Sequence, residues 1–144
     1  MLRNKRLTRL TGMGIICILV ASLAVSVLLL SGCSNKNPLA PFQPEIVNNP
    51  DNFQFQVTAA KNVTTTINYT WQNSGATASV NQACSIQNGA ATVTLLDANG
   101  TQVYTKGLEA NGTYPSTSGI TGAWTIRVVL TGLSGALNFR VQKL

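Results

Sequence analysis

The sequence predicts an all-β domain: an antiparallel β-sandwich, jelly-roll-like or immunoglobulin-like, of about seven to eight strands. Apolar and polar residues alternate with a period of two in most of the chain between residues 53 and 141, which is typical of half-buried strands. Asn-Gly pairs, which favour tight hairpins, recur at intervals of 11 and 12 residues. No segment after residue 33 has a helical period, so no helix is predicted in the domain.

Two strands are predicted at the start of the domain. Both alternate buried and solvent-facing positions, and polar residues such as Gln54 and Gln56 occupy the outer positions. The inner face of the first is predicted to consist of Phe53, Phe55, Val57 and Ala59, and that of the second of Val63, Thr65, Ile67, Tyr69 and Trp71.

Three further strands are predicted from the same alternation. Their inner faces are Ala91, Val93 and Leu95; then Trp124, Ile126, Val128 and Leu130; and finally Leu137, Phe139 and Val141. The stretch 76–86 is ambiguous, because Gln82 falls on the same face as its apolar neighbours. Either a bulge near residues 81–83 or a loop would resolve the conflict.

Turns are predicted where glycine follows asparagine. Hairpins are expected at Asn88-Gly89, Asn99-Gly100 and Asn111-Gly112. Gly132 and Gly135 mark one more turn before the last strand. Short strands with turns at this spacing favour a sandwich.

An export signal precedes the domain. Residues 1–9 carry four basic side chains, and an apolar run from Ile15 to Leu30 follows, broken only by Ser22 and Ser26. This order indicates a secretory signal peptide helix. The alternative is an uncleaved anchor, since residues 12–30 approach the length of about 20 that spans a bilayer.

The segment Leu30-Ser31-Gly32-Cys33 resembles the lipobox of bacterial lipoprotein precursors. The resemblance implies that diacylglycerol is transferred to the Cys33 thiol and that signal peptidase II cleaves after Gly32. The position after Cys33 is Ser34 rather than Asp, which in a diderm organism implies the outer membrane rather than the inner. The predicted organisation is a signal peptide at 1–32, a lipidated cysteine with a Pro- and Asn-rich tether at 33–50, and a sandwich at 51–144.

Charge and composition exclude several functions. The net charge of +6 comes largely from residues 1–9, and the six cations from Cys33 onward are scattered, so nucleic-acid binding is not expected. The chain has no histidine, which excludes Ser-His-Asp and Cys-His catalysis and His-ligated zinc. With only four Asp and Glu residues, paired carboxylate chemistry has few candidates. We therefore expect neither an enzyme nor a cofactor.

Four segments resemble a known family, the bacterial pre-peptidase C-terminal domain. They are Asp51-Asn52-Phe53-Gln54-Phe55-Gln56-Val57, Leu95-Leu96-Asp97-Ala98-Asn99-Gly100, and Gly122-Ala123-Trp124-Thr125-Ile126-Arg127-Val128 followed by Phe139-Arg140-Val141. The resemblance implies a jelly-roll-like sandwich that acts as a non-catalytic module.

A few side chains are candidates for binding. Trp71, Tyr104 and Tyr114 would stack on sugars if they are exposed, whereas single aromatic residues are usually structural. Asp97 and Asn99 offer oxygen ligands to calcium, but the string Asp97-Ala98-Asn99-Gly100 is better explained as a turn. Cys84 is predicted to be a small buried residue rather than a reactive or disulfide-bonded thiol.

Together these observations predict an exported lipoprotein anchored to the cell envelope through Cys33. Its sandwich is expected to bind another envelope component or to be structural. The alternative is a carbohydrate- or peptidoglycan-binding module that uses the three aromatic residues. A third reading, an uncharacterised enzyme, has little support from the composition.

Overall fold

The computed structural model describes residues 43–144, and in them the chain is all-β, as predicted. Seven antiparallel strands form one connected sheet that is not closed into a barrel. The predicted signal peptide helix, the lipobox residues Leu30, Ser31, Gly32 and Cys33, and the tether up to residue 42 lie outside the described residues. The strands are β1 (Glu45–Asn49), β2 (Asn52–Asn73), β3 (Ala78–Gln82), β4 (Ser85–Leu96), β5 (Gln102–Gly107), β6 (Gly112–Pro115) and β7 (Gly122–Lys143).

Two long strands, β2 and β7, organise the sheet. Each has 22 residues, and they pair antiparallel from Asn52↔Gln142 to Asn73↔Gly122. The first half of β2 and the second half of β7 lie in layer one, together with β1, β3 and β6. The other halves lie in layer two, together with β4 and β5. Both layers are therefore built on the same two strands.

The sheet folds over so that its two layers face each other. The backbone N–H of Asp51, just before β2, donates to the carbonyl of Gln72 near its end at 2.8 Å. Inside the fold, the ring of Phe53 lies 5.2 Å from the ring of Tyr69, and these residues belong to opposite halves of β2. A strand whose two ends meet and whose halves pack together has reversed direction. This gives the sandwich without a second, separate sheet.

The fold occurs where the register of the long strands shifts. Pairing between β2 and β7 slips between Val57 and Thr65, and Asn62 adopts a φ of 48° in that interval. On β7, Gly132 and Gly135 have φ values of 56° and 139°. The sequence predicted separate strands on each side of these positions, and that prediction is wrong, because bulges bend a strand without ending it.

The bend also explains why one side chain predicted to point inward does not. Ala59 was expected on the inner face, but it is only half-buried and Ala60 is buried instead. The register shift after Val57 changes which residues point inward, as a slip of one position must.

The three Asn-Gly pairs have different outcomes. Asn99-Gly100 joins β4 to β5, which confirms that hairpin. The hairpin predicted at Asn88-Gly89 is wrong, because these residues lie within β4 at a register shift opposite the bend of β7. The hairpin predicted at Asn111-Gly112 is also wrong, because β6 begins at Gly112 and pairs with β3 rather than with β5. Gly89 is required by sterics, since a Cβ there would meet the carbonyl of Gly132.

Two boundaries differ from the sequence prediction. Glu45–Asn49, which fall in the predicted tether, form β1 and pair with β2 from Glu45↔Gln56 to Asn49↔Asn52. The ambiguous stretch 76–86 resolves into the end of β3 at Gln82 and the start of β4 at Ser85.

The core lies between the layers and contains most of the predicted alternating residues, whereas Thr65, Ile67 and Tyr69 are only half-buried. Burying a large apolar side chain contributes about 1.5–3 kcal/mol, so these positions dominate the stability of the fold. The largest fully buried side chains include Trp71, Trp124, Phe53, Phe55, Phe139, Leu95, Leu108 and Ile126.

Candidate functional site

Trp71 lies in the core, so it offers no ring to a sugar. Its side chain is 0% exposed and packs edge-on against Trp124, with ring centroids 5.9 Å apart. The indole Nε1 donates to the carbonyl of Asn49 at 3.2 Å, which ties the end of β1 to layer two. The alternation predicts Trp71 on an inner face, which is confirmed, and the stacking role that requires an exposed ring does not apply at this position.

Tyr104 is also buried, at 8% exposure. In the orientation that satisfies both ends of its amide, Gln82 accepts from the Tyr104 hydroxyl at 2.9 Å and donates to the carbonyls of Ala110 and Gly107. Burial, with a smaller contribution from Tyr114, raises the pKa of Tyr104 to about 12. The alternation fails here because a bulge in the β4–β5 pairing turns Tyr104 inward beside the buried Gln82.

Tyr114 keeps part of its ring at the surface. The Lys106 ammonium lies 4.2 Å from the ring centroid, and the Tyr114 hydroxyl donates to the carbonyl of Asn111 at 3.1 Å. A cation at this distance is attracted by the ring face and covers it. Of the three predicted aromatic residues, only Tyr114 has a ring that is not buried.

Asp97 organises the β4–β5 turn. Its Oδ1 accepts the backbone N–H groups of Asn99 and Thr101 at 3.0 and 2.8 Å, and its Oδ2 accepts that of Ile120 at 2.9 Å. The Ile120 N–H is the main cause of the lowered pKa of this carboxyl. Both oxygens are engaged by the protein itself, which agrees with the interpretation as a turn. Within residues 43–144, no three His, Cys, Asp or Glu side chains are grouped for metal binding.

Cys84 lies buried, as predicted, in the short link between β3 and β4. Its Sγ donates to the carbonyl of Asn138 at 3.4 Å and accepts the backbone N–H of the same residue at 3.3 Å. Burial raises the pKa of the thiol, which disfavours the nucleophilic thiolate. The Asn111 amide bonds both backbone groups of Cys84, so the link is held on two sides.

A polar cluster that the sequence analysis missed ties the strand ends together. Asp51 accepts hydrogen bonds from the backbone N–H and the hydroxyl of Ser74 at 2.7 and 2.8 Å, and it pairs with the Lys143 ammonium at 3.0 Å. The backbone N–H of Ser74 is the main cause of the lowered pKa of Asp51. An exposed ion pair adds little stability by itself. We therefore interpret the cluster as a set of contacts that positions the strand ends, without a binding role.

The outer face of layer one carries an array of amide side chains. Three rows cross the strands: Gln56 opposite Asn138, Gln54 opposite Arg140 and then Asn81, and Asn52 opposite Gln142. All of them are exposed or half-buried. We call this surface the amide face and define it by Asn52, Gln54, Gln56, Asn81, Asn138, Arg140 and Gln142.

The amide face carries one charge, on Arg140, and the exposed Glu45 of β1 lies opposite Gln56 at its border; part of the face is pre-ordered. The Arg140 guanidinium donates to Oε1 of Gln54 at 3.2 Å, and the Asn81 amide donates to the Thr113 hydroxyl at 2.7 Å. In contrast, Oδ1 of Asn52 is buried and has no hydrogen-bond partner. Each amide offers both a donor and an acceptor, so the surface suits a neutral ligand with many hydroxyl or peptide groups.

The sequence contained part of this signal. Gln54 and Gln56 alternate with buried aromatic residues, which places them outward. The pairing of β2, β7 and β3 is what brings the remaining amides beside them, and the alternation does not specify which strands are neighbours.

Comparisons with known proteins give few matches. No protein-family model matches the chain, and no curated protein matches it. One similar chain comes from the crystal structure of accessory secretory protein 1, 2 and 3 in Streptococcus pneumoniae. It has 9% identity and a TM-score of 0.36 over 73% of this chain and 88% of that chain. Among residues 43–144 there is no helix long and apolar enough to cross a membrane.

Proposed function

We propose that the protein is an exported lipoprotein, held at the bacterial cell envelope by a lipid on Cys33, whose sandwich is a non-catalytic binding module. The lipobox-like segment and the apolar run before it support the anchor. The amide face supports binding, because it is a broad polar surface of exposed and half-buried amide side chains with a single cation, Arg140. Ser34 favours the outer membrane if the organism is a diderm.

The lack of histidine and the scarcity of carboxylates support a non-catalytic role. The two carboxylates of Asp51 and Asp97 are bonded within the fold, where they hold loops. The partner we favour is another envelope component.

The anchor is tested by lipid labelling in cells. We expect the wild-type chain to incorporate radioactive palmitate and Cys33→Ala to lose the label and accumulate as precursor. Cys84→Ala is the matched control, since it removes a cysteine that lies in the folded domain. Label retained on Cys33→Ala would contradict the assignment.

A second candidate is binding to a glycan, including peptidoglycan. Amide groups pair their donor and acceptor with neighbouring sugar hydroxyls, which favours this ligand class for the amide face. The predicted stacking role of Trp71 and Tyr104 has no place in this proposal, because both are buried.

Glycan binding is tested by co-sedimentation with purified peptidoglycan sacculi. Replacing Asn138 and Gln142 together with Ala should weaken binding about tenfold, since each removes hydrogen bonds worth about 0.5–1.5 kcal/mol. The control replaces Thr125 and Thr131, which face outward on the same strand in layer two. If Tyr114→Ala releases the protein and the amide variant does not, the site is the exposed aromatic ring. No binding by the wild-type chain would eliminate this candidate.

A further inference from the structure

The second half of β2 is an edge of layer two, and its backbone groups alternate between β7 and the open side. The carbonyl of Thr70 accepts from the Asn48 amide at 2.9 Å, and that of Gln72 accepts from the Asp51 N–H at 2.8 Å. Both donors lie on the side away from β7. Because a residue in an antiparallel ladder directs its N–H and C=O to the same side, the even-numbered residues of this segment face the open edge.

Two residues of this edge keep their backbone groups open. Thr66 and Asn68 have the same parity as Thr70, so their N–H and C=O groups point away from β7. Within residues 43–144, no hydrogen bond to these four backbone groups is present. Both residues are exposed.

The β5 edge of layer two is interrupted. The N–H of Thr117 donates to the carbonyl of Val103 at 2.9 Å, and the N–H of Ala110 donates to that of Gly107 at 3.3 Å. These bonds occupy both ends of β5 and leave little room for another strand.

The edges of layer one are short and flanked by proline. β6 has four residues and ends at Pro115, and β1 has five residues between Pro44 and Pro50. In contrast, no charged residue occurs from Asn62 to Ser74. Charged side chains and proline are the usual protection of an edge, and this segment itself has neither; the Arg127 guanidinium of β7 donates to Oδ1 of Asn68 at 3.1 Å.

We propose that the open edge of β2 pairs with the same edge of a second copy of this chain, antiparallel about a two-fold axis through Ile67. Thr66 then lies opposite Asn68 of the partner subunit, and Asn68 lies opposite the partner's Thr66. Each pair exchanges both of its N–H···O bonds, so every open backbone group is satisfied. The open groups occur on Thr66 and Asn68, with Ile67 between them. A two-fold axis through Ile67 therefore places each open residue opposite the other one in the second copy.

The pairing extends layer two into a continuous sheet across both copies. A few paired residues bury much less than the roughly 1,200 Å² of a stable interface, so association in solution is weak. The inference therefore rests on the proposed lipid anchor, which confines both copies to one membrane and raises their effective concentration. Palmitate labelling tests the anchor separately from the pairing.

Disulfide crosslinking in the membrane tests the register. In a Cys84→Ala background of the full chain, Thr66→Cys and Asn68→Cys are placed on differently tagged copies and exposed to a mild oxidant. Opposed residues of a hydrogen-bonded pair lie about 5.5 Å apart at Cα, within the range of about 4.4–6.8 Å that a disulfide spans. Identical positions are diagonal at about 7–8 Å and lie outside it.

We expect the mixed pair to crosslink and either variant alone to give little dimer. Equal dimer from Thr66→Cys alone, or no dimer from the mixed pair, would overturn the proposal. Crosslinking of Asn68→Cys to a different envelope protein would also overturn it, because the edge would then have another occupant.

A charge on the edge provides the second test. Added to both crosslinking copies, Ile67→Lys should reduce the dimer about fivefold, the upper effect of like charges placed opposite each other across a strand pair. Ile67→Gln is the control, since it replaces the same half-buried side chain, which packs partly against the core, with a neutral polar one. Retained protease resistance shows that the variants fold. An unchanged dimer yield in folded Ile67→Lys would contradict the inference.

Discussion

Single polar residues hold the loops of this domain, and Asp97 is the clearest case. Its carboxylate accepts three backbone N–H groups, from Asn99, Thr101 and Ile120. These bonds link the β4–β5 turn to the segment that precedes β7. A residue that the sequence offered as a calcium ligand or a turn residue is thus a structural acceptor.

This arrangement predicts how stability depends on pH. The folded-state pKa of Asp97 is lowered below its usual value of 3.8, so the native state holds its proton less tightly than the unfolded chain. Its contribution to stability is complete above that value and is lost as the pH falls toward the folded-state pKa. Asp97→Asn should lower the melting temperature at neutral pH and remove part of the decline on acidification.

The matched control is Asn99→Ala, because Asn99 contributes its backbone N–H to the turn and its side chain is exposed. Thermal melts of the proposed mature chain between neutral and acidic pH check the prediction. An acid profile of Asp97→Asn that superimposes on the wild-type profile would show that this carboxylate has no such role.

At the scale of elements, the bend of the long strands determines the architecture. Gly135 has a φ of 139°, and a Cβ there would meet the carbonyl oxygen of Ser85 on β4. Gly132 and Gly89 face each other across the same bend. Glycine is required here because two backbones approach closely, in addition to its tolerance of positive φ.

Gly135→Ala should destabilise the domain by about 1–3 kcal/mol more than Gly100→Ala, because its Cβ overlaps the backbone carbonyl oxygen of Ser85. Gly100 also has a positive φ, of 81°, but a Cβ there would meet nothing within 4 Å. Both variants place alanine at a positive φ, and only Gly135→Ala adds a steric overlap. Denaturant unfolding of the proposed mature chain measures the difference, and equal losses would show that the close approach costs nothing.

At the scale of the whole molecule, the two layers are not independent, because β2 and β7 belong to both. The outer surfaces that result have different chemistry. Layer one presents the amide face, and layer two ends at the open edge of β2. The proposed binding and pairing surfaces therefore lie on different layers, so one copy can use both at once.

The predictable part of the fold was the part that depends on local pattern. Phe53, Phe55, Trp124 and Ile126 were placed in the core because side chains alternate along a strand, and all four are buried. The hairpin at Asn99-Gly100 followed from the same local chemistry. Tyr104 was misplaced, because a bulge interrupts the alternation and the buried partner of its hydroxyl, Gln82, is distant in sequence.

The sequence alone determined the strand character of the domain, most of its core residues and the expectation of an anchor at Cys33. Tertiary structure decided that predicted neighbours such as residues 53–59 and 63–71 form one bent strand, and which backbone groups remain at an edge. The reason is physical. A period of two shows which residues share a face of a strand. A bend and a free edge depend instead on which distant strands pair and where their register shifts.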